Sequence, residues 1–404
     1  MVRQSARKGE QSIEQYAEIT RSLVSLVERD PELEFLLERS IEKATTVNGD
    51  PETNPVRSLS EYYDVVDETY KLIPQHILET PAELTREWLR HSLCYFYFLI
   101  DQELPELAGR DLHRPTVQYY EPLADWLSEF AREWGAFLDT EESWNDEVYQ
   151  QFRADPRFNL DRGWYESPAN WETFNDFFAR DLRTPDARPI AEGESVVASP
   201  VDSVPMGTWE IDEESRLSTG LTAKTCEYHD VRELLGEESD YADAFAGGTF
   251  SHAFLGLTDY HHYHSPVGGT VVEMDTIRDH VALDVGWDAE KGRYDPILSV
   301  GWQFCQTRGY VLVDTDEYGL VACIPIGMSH VSSITFEDDV EPGRTVEKGD
   351  RLGTFYFGGS DFVLLFEEQA EFELTVPTDD SPSVEEKPRH EHVKMGEQYG
   401  VFGS

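Results

Sequence analysis

The 404 residues carry 80 acidic side chains against 33 basic ones, a formal net charge of −47. A surface of that sign repels phosphate backbones and anionic headgroups, which argues against nucleic-acid binding and disfavours docking on a membrane surface. With 39% hydrophobic and 12% aromatic residues the chain has material for a substantial core, in two domains or in one with a large extension.

The N-terminus, Met1-Val-Arg-Gln-Ser-Ala-Arg-Lys-Gly-Glu10, lacks an apolar leader segment, so no signal peptide is expected. From about residue 10 to 155 the apolar spacing is helical. Ile13, Tyr16, Ile19, Leu23, Leu26 and Val27 recur at three- and four-residue steps, and the same rhythm returns over 62–78, 84–100 and 119–137. Breaks fall near Asn48-Gly-Asp-Pro51, Pro81 and Pro105. The longest apolar run, Leu93 to Ile100, is far shorter than the roughly 20 residues a spanning helix needs and reads as a core helix. We expect a helical N-terminal domain over residues 1–165, joined through an aromatic amphipathic helix at 171–183 to a second domain over 166–404.

From about residue 190 the period changes to that of strands, expected at 204–211, 249–257, 269–274, 310–313, 320–326, 331–336, 353–357 and 362–366. Short strands with frequent glycine predict a β-rich domain arranged as a barrel or sandwich, and an α+β class overall. Val340 to Asp350 reads as two β-turns set by Pro342-Gly343 and Lys348-Gly349, and the acidic stretch 377–389 as a loop. Cys94, Cys226, Cys305 and Cys323 form no C-x-x-C pair, so neither a disulfide framework nor a cysteine zinc site is indicated, and a reducing cytoplasm fits. The acid-rich, lysine-poor composition points to a halophilic source, where dense ions screen self-repulsion; a thermal midpoint that climbs with salt is its signature.

The chemistry-bearing segments lie in the second half. Gly358-Gly359-Ser360 sits between two apolar strand-like stretches, and two residues without Cβ allow the unusual dihedrals that bring a serine oxygen against its own preceding carbonyl. That geometry permits an N-to-O acyl shift; the same tripeptide also suits an ordinary bend. Ser199-Pro-Val-Asp202 places one acid in a turn, and Asp259-Tyr-His-His-Tyr-His-Ser-Pro266 places three histidines within four residues. Together they supply an acid, a base and a nucleophile. In a strand His262 and His264 share one face, whereas in a turn His261 and His264 converge; both remain open here. His261, His262 and His264 also offer a metal site on a β-barrel, although Glu273, the candidate acidic ligand, lies nine residues beyond His264.

Four segments in order, Phe174-Asn-Asp-Phe-Phe-Ala-Arg180 with Arg188-Pro-Ile190, Ser199 to Asp202, Asp259 to Pro266, and Lys348-Gly349 with Gly358-Gly-Ser360, resemble the phosphatidylserine decarboxylase family of pyruvoyl enzymes. The resemblance covers about residue 165 to the end, and in layout it is closest to soluble members with a long helical N-terminal region, such as tryptophan decarboxylases. It implies that the chain cuts itself between Gly359 and Ser360, with Gly358 as supporting backbone, and that Ser360 becomes a pyruvoyl cofactor. By the same resemblance Asp202 and His264 deprotonate Ser360, Asp202 fixing the imidazole tautomer, and His261 handles the substrate carboxylate or the returned proton. No metal is implied. The large and small chains would stay together, and a homo-oligomer is left open.

The reaction implied is loss of CO2 through a Schiff base, with a free aromatic L-amino acid favoured as substrate because no basic or lipid-facing surface is evident. The alternatives are phosphatidylserine decarboxylation in phospholipid biosynthesis, the histidine metal site, and a non-catalytic binding module. Ser203 and Asp361 depart from the family pattern, which has glycine and a small hydroxyl residue there. A carboxylate at 361 is expected to slow self-cleavage unless strand alternation turns it to the opposite face.

Overall fold

The computed structural model describes residues 13–74, 93–217, 229–236, 238–297, 301–327, 333–357, 359–378 and 391–403. The chain gathers into two compact units, residues 1–137 with 282–298, and residues 138–281 with 299–404.

The first unit contains α1 (Glu18–Arg29), α2 (Pro31–Val47), α3 (Leu59–Thr69), α4 (Leu93–Phe98) and most of α5 (Glu121–Leu138). Local chemistry sets the boundaries. Asp30 accepts from the Glu32 and Leu33 amides with Pro31 at the first helical position, and Ser58 caps α3 by accepting from Glu61. The apolar stripes meet in an aromatic core, where Phe96 stacks on Phe130 at 5.3 Å and Trp126 packs on the same ring at 5.2 Å. Burying each such side chain stabilises by roughly 1.5–3 kcal/mol. A hairpin that the helical reading did not foresee, β6 (Val285–Asp288) and β7 (Arg293–Pro296), belongs to this unit. Its Tyr294 hydroxyl accepts from Asn48 at 2.8 Å and donates to the Thr53 carbonyl at 2.9 Å, while the Val285 amide donates to buried Asp101 at 2.8 Å.

The second unit bears out the α+β reading. Its main sheet is antiparallel with seven strands, in the order β11 (Thr345–Val346), β5 (Gly269–Ile277), β8 (Arg308–Asp314), β9 (Leu320–Gly327), β13 (Gly359–Phe366), β3 (Thr249–Phe254) and β2 (Val204–Glu210). Among the described residues the sheet is open, edged by β11 and β2, and is not closed into a barrel. Two smaller sheets accompany it: β1 (Val196–Ala198), β15 (Gln398–Val401) and β14 (Glu373–Leu374) in one, and β10 (Ile334–Phe336), β12 (Arg351–Phe355) and β4 (His262–His264) in the other.

Alternation along β13 sends Phe362, Leu364 and Phe366 into a core with Ala253, Val311, Val313, Val321 and Cys323. Every residue of β9 is buried, which explains its unbroken apolar run. The turns around β11 match the sequence reading, with Gly343 at φ +95° and Gly349 at φ +91°. The helix expected over 171–183 is shorter. After α6 (Asp146–Ala154), a capping box between Thr173 and Asp176 starts α7 (Phe174–Phe178), and the chain leaves the helix at Ala179. The cause lies at Arg180, which buries its guanidinium against the Thr258 and Asp259 carbonyls at 2.8 and 2.9 Å.

Candidate active site

The segments singled out by sequence converge within the second unit. From α7, Phe178 packs at a tilt on His261 with ring centroids 3.8 Å apart and meets Phe357 edge-on at 5.5 Å, and Asn175 Oδ1 accepts from the Phe357 amide at 3.3 Å. Arg180 lies over Tyr165 at 4.5 Å while holding the start of the histidine segment through its carbonyls. The His264 amide donates to the Pro200 carbonyl at 2.9 Å, joining the histidine segment to the Asp202 turn. On the other side the Ser265 amide donates to the Asp350 carbonyl at 2.7 Å, the Gly349 amide donates to the Ser265 carbonyl at 2.8 Å, and the Phe355 amide donates to the His261 carbonyl at 2.8 Å.

The extended alternative holds for the histidines, since 262–264 form β4, paired with β12. His262 is spoken for on both nitrogens, by the Thr354 hydroxyl at 2.7 Å and the Ala179 carbonyl at 2.8 Å. His264 directs Nδ1 to the Gly349 carbonyl at 2.9 Å, which assigns the proton to Nδ1 and leaves Nε2 as acceptor, 3.3 Å from the Tyr260 hydroxyl. Gly349 holds that carbonyl in place from a left-handed conformation, and a Cβ there would lie 2.6 Å from Ile190. His261 is fully buried, and among the described residues neither ring nitrogen has a well-formed hydrogen bond. The three imidazoles thus have separate environments and do not gather around one point; among the described residues no group of three or more His, Cys, Asp or Glu side chains could hold a metal ion.

Burial pushes the pKa of His264 down to about 4, and burial with Arg180 pushes that of His261 well below the ordinary value. Burial with Arg351 does the same to His262. All three are neutral at pH 7. They bind protons more readily in the unfolded chain, so their contribution is present above the ordinary imidazole value and is lost as pH falls through it. For His264 the loss amounts to roughly 3 kcal/mol by pH 4. Histidine-selective NMR should find these three rings untitrated down to pH 5, while His392, hydrogen-bonded to Asp259 at 2.8 Å, titrates above the ordinary value. Titration of all four near 6.5 would contradict these environments.

Asp202 is buried and bidentate to Arg188, with Nε to Oδ1 at 2.8 Å and Nη2 on Oδ2, and Oδ1 also accepts from the Met395 amide at 2.8 Å. Its field raises the pKa of His264, so the two side chains share one electrostatic neighbourhood. Among the described residues no hydrogen bond joins them, and the Gly349 carbonyl occupies the tautomer-fixing position expected of Asp202. Ser203 is fully buried with no partner for its hydroxyl among the described residues.

Gly358 lies outside the described residues. Gly359 pairs with Gly327 and Asp361 with Ile326, two residues apart on β13 against one on β9, so Ser360 is the extra residue of a β-bulge. Asp361 turns away from the core face. Its carboxylate takes the Gln303 amide at 2.9 Å, the His252 Nδ1 at 3.2 Å and the Phe362 amide at 2.8 Å. The motif reading passed over Arg188, Gly349, His252 and Gln303 as site residues. Arg188 and Gly349 lay inside quoted motifs; His252 and Gln303 are marked solely by long-range contacts.

A family model described as phosphatidylserine decarboxylase matches residues 174–401, more than half of the chain. Over 279 residues the chain is 29% identical to Decarboxylase iboD of Amanita muscaria, covering 59% of this chain and 75% of that protein. It is 34% identical over 221 residues to the phosphatidylserine decarboxylase proenzyme of Anaeromyxobacter sp., covering 49% of this chain and 70% of that one. With phosphatidylserine decarboxylase proenzyme 2 of Oryza sativa subsp. japonica it shares 33% identity over 235 residues, which is 57% of this chain and 34% of the rice protein.

Proposed function

The chain belongs to the phosphatidylserine decarboxylase family, and from that premise we propose that it is a carboxy-lyase made as a proenzyme, which cuts itself between Gly359 and Ser360. The observation that carries this reading is the bulge, which takes Ser360 out of ladder register next to a glycine, at one end of the interior strand β13. Bulges re-aim side chains and cluster beside active sites. The residues fit a serine-derived pyruvoyl group: the chain supplies the serine, a glycine before it, and an Asp361 whose carboxylate is fully hydrogen-bonded away from the core face. Such a group supplies a ketone that captures an amine and an acceptor for the electrons left when CO2 departs.

His264 is assigned the proton of Ser360. Its Nδ1–H rests on the Gly349 carbonyl and its Nε2 is the accepting atom. Asp202, clamped by Arg188, favours the imidazolium through its charge rather than by direct contact. His261 is assigned to the substrate. A buried imidazole with both nitrogens lacking good partners leaves polar capacity that a substrate carboxylate or a returning proton completes. Residues 166–404 are proposed to carry the catalysis.

For the substrate we favour a free, aromatic L-amino acid over phosphatidylserine. The net charge of −47 opposes an anionic lipid surface, and among the described residues no helix is long and apolar enough to cross a membrane. The match to a relative named only as a decarboxylase covers 75% of that protein, which is compatible with a non-lipid substrate. The test is CO2 release from L-tryptophan, L-phenylalanine and L-tyrosine against phosphatidylserine vesicles, in molar salt. Release from an amino acid is expected, with His261→Ala maturing yet losing about 10²–10⁴ in turnover. Release from the vesicles alone would assign the chain to lipid synthesis.

A further inference from the structure

The assigned roles leave one buried acid–base pair unused, and it adjoins the proposed cleavage point. His252 on β3 is 2% exposed and stacks on Trp209 at 5.1 Å. Its Nδ1 lies 3.3 and 3.2 Å from the two oxygens of Asp361, itself 1% exposed. Gln303 completes the cluster. Its Oε1 accepts from the Gly301 amide at 2.9 Å, which orients Nε2 toward Asp361, also at 2.9 Å. The same Nε2 approaches His252 Nδ1 only at 3.4 Å, so the carboxylate governs the ring and places the proton on Nδ1. Nε2 is left with its lone pair, and among the described residues nothing is hydrogen-bonded to it. The β3 ladder with β13 begins at the pair Phe254 and Asp361, so residue 360 lies one step past the last pairing, and its carbonyl carbon is bonded to the Asp361 nitrogen.

Resting on the reading that Ser360 supplies a ketone, we propose that His252 is the proton acceptor for the incoming amine, held in the accepting tautomer by Asp361. A substrate α-amine arrives at neutral pH as an ammonium and cannot attack a carbonyl until it loses a proton. That proton passes from the ammonium nitrogen to His252 Nε2, whose lone pair forms the new N–H bond, and the amine recovers its own lone pair. It leaves again with the water released on condensation, so no oxidant, reductant or co-reactant is needed. Asp361 is a positioning residue in this arrangement. Its carboxylate sets the tautomer, and its negative charge adds attraction for a cationic amine. The carboxylate that departs from the family pattern thus has a use in turnover.

Two probes of similar size separate this role from a structural one: methylamine, an ammonium at pH 7, and methoxyamine, which is uncharged there. Capture of each is read as the added mass on the shorter chain, with borohydride trapping for methylamine. His252→Gln should mature to two chains, take up methoxyamine within a few-fold of the native rate, and lose about 10²-fold or more in methylamine capture. Asp361→Asn should show the same split to a smaller extent, and it carries the test if His252→Gln fails to fold. Equal losses for both probes, or no loss for either, overturn the proposal. A native protein that captures neither probe would instead remove the pyruvoyl reading, and this inference with it.

Discussion

Ser360→Ala is expected to remain a single chain of 46.3 kDa without reactive carbonyl, whereas the native sequence yields chains ending at Gly359 and beginning at residue 360, the shorter of 45 residues. The effect is all-or-none because the substitution removes the only oxygen that can accept the acyl group of Gly359. Folding should survive it. The strand is held by six paired residues against β3 and by the apolar face of Phe362, Leu364 and Phe366, none of which uses the serine hydroxyl. Intact mass under denaturing conditions reads the result directly, and titration with a carbonyl reagent confirms it. Two chains from Ser360→Ala would place the break, and the nucleophile, elsewhere.

The second large effect is expected at the Arg188–Asp202 pair. Their side chains are 1% and 5% exposed, and removing one partner strands the other's charge away from water. Arg188→Ala or Asp202→Asn should therefore destabilise the fold by about 3–5 kcal/mol, seen as a lowered urea midpoint. Arg188 also lies over Trp164 at 4.9 Å, so its alanine variant loses packing as well as charge. Both variants should cleave slowly. The double variant Arg188→Leu with Asp202→Leu separates the two causes, because replacing a whole buried ion pair by apolar groups commonly restores stability. Cleavage is expected to stay slow in the double variant, since no charge remains to favour the His264 imidazolium. A stable double variant that cleaves at the native rate would make the pair purely structural.

Much of the second unit was legible because strands and turns are written locally. Short alternating or continuous apolar runs marked β2, β5, β8, β9 and β13, and Pro-Gly and Lys-Gly marked the turns around β11. Helical spacing likewise marked α1, α3 and α5. The β6–β7 hairpin was not legible, because what holds it is Asn48, Thr53 and Asp101, far away in sequence. Nor was the early end of α7, which Arg180 sets by reaching carbonyls nearly eighty residues on.

The amino-acid order alone established the class of the fold, the family and the segments that carry chemistry, because each depends on residue types at short fixed spacings. Only the tertiary structure decided how those segments are used: that the histidines lie in a strand with separate partners, that Gly349 rather than Asp202 touches His264, and that Asp361 is balanced by His252 and Gln303. Hydrogen-bond partners and charge neutralisation are chosen by groups brought together across the sheets, and no local spacing encodes which distant carbonyl, carboxylate or ring will arrive.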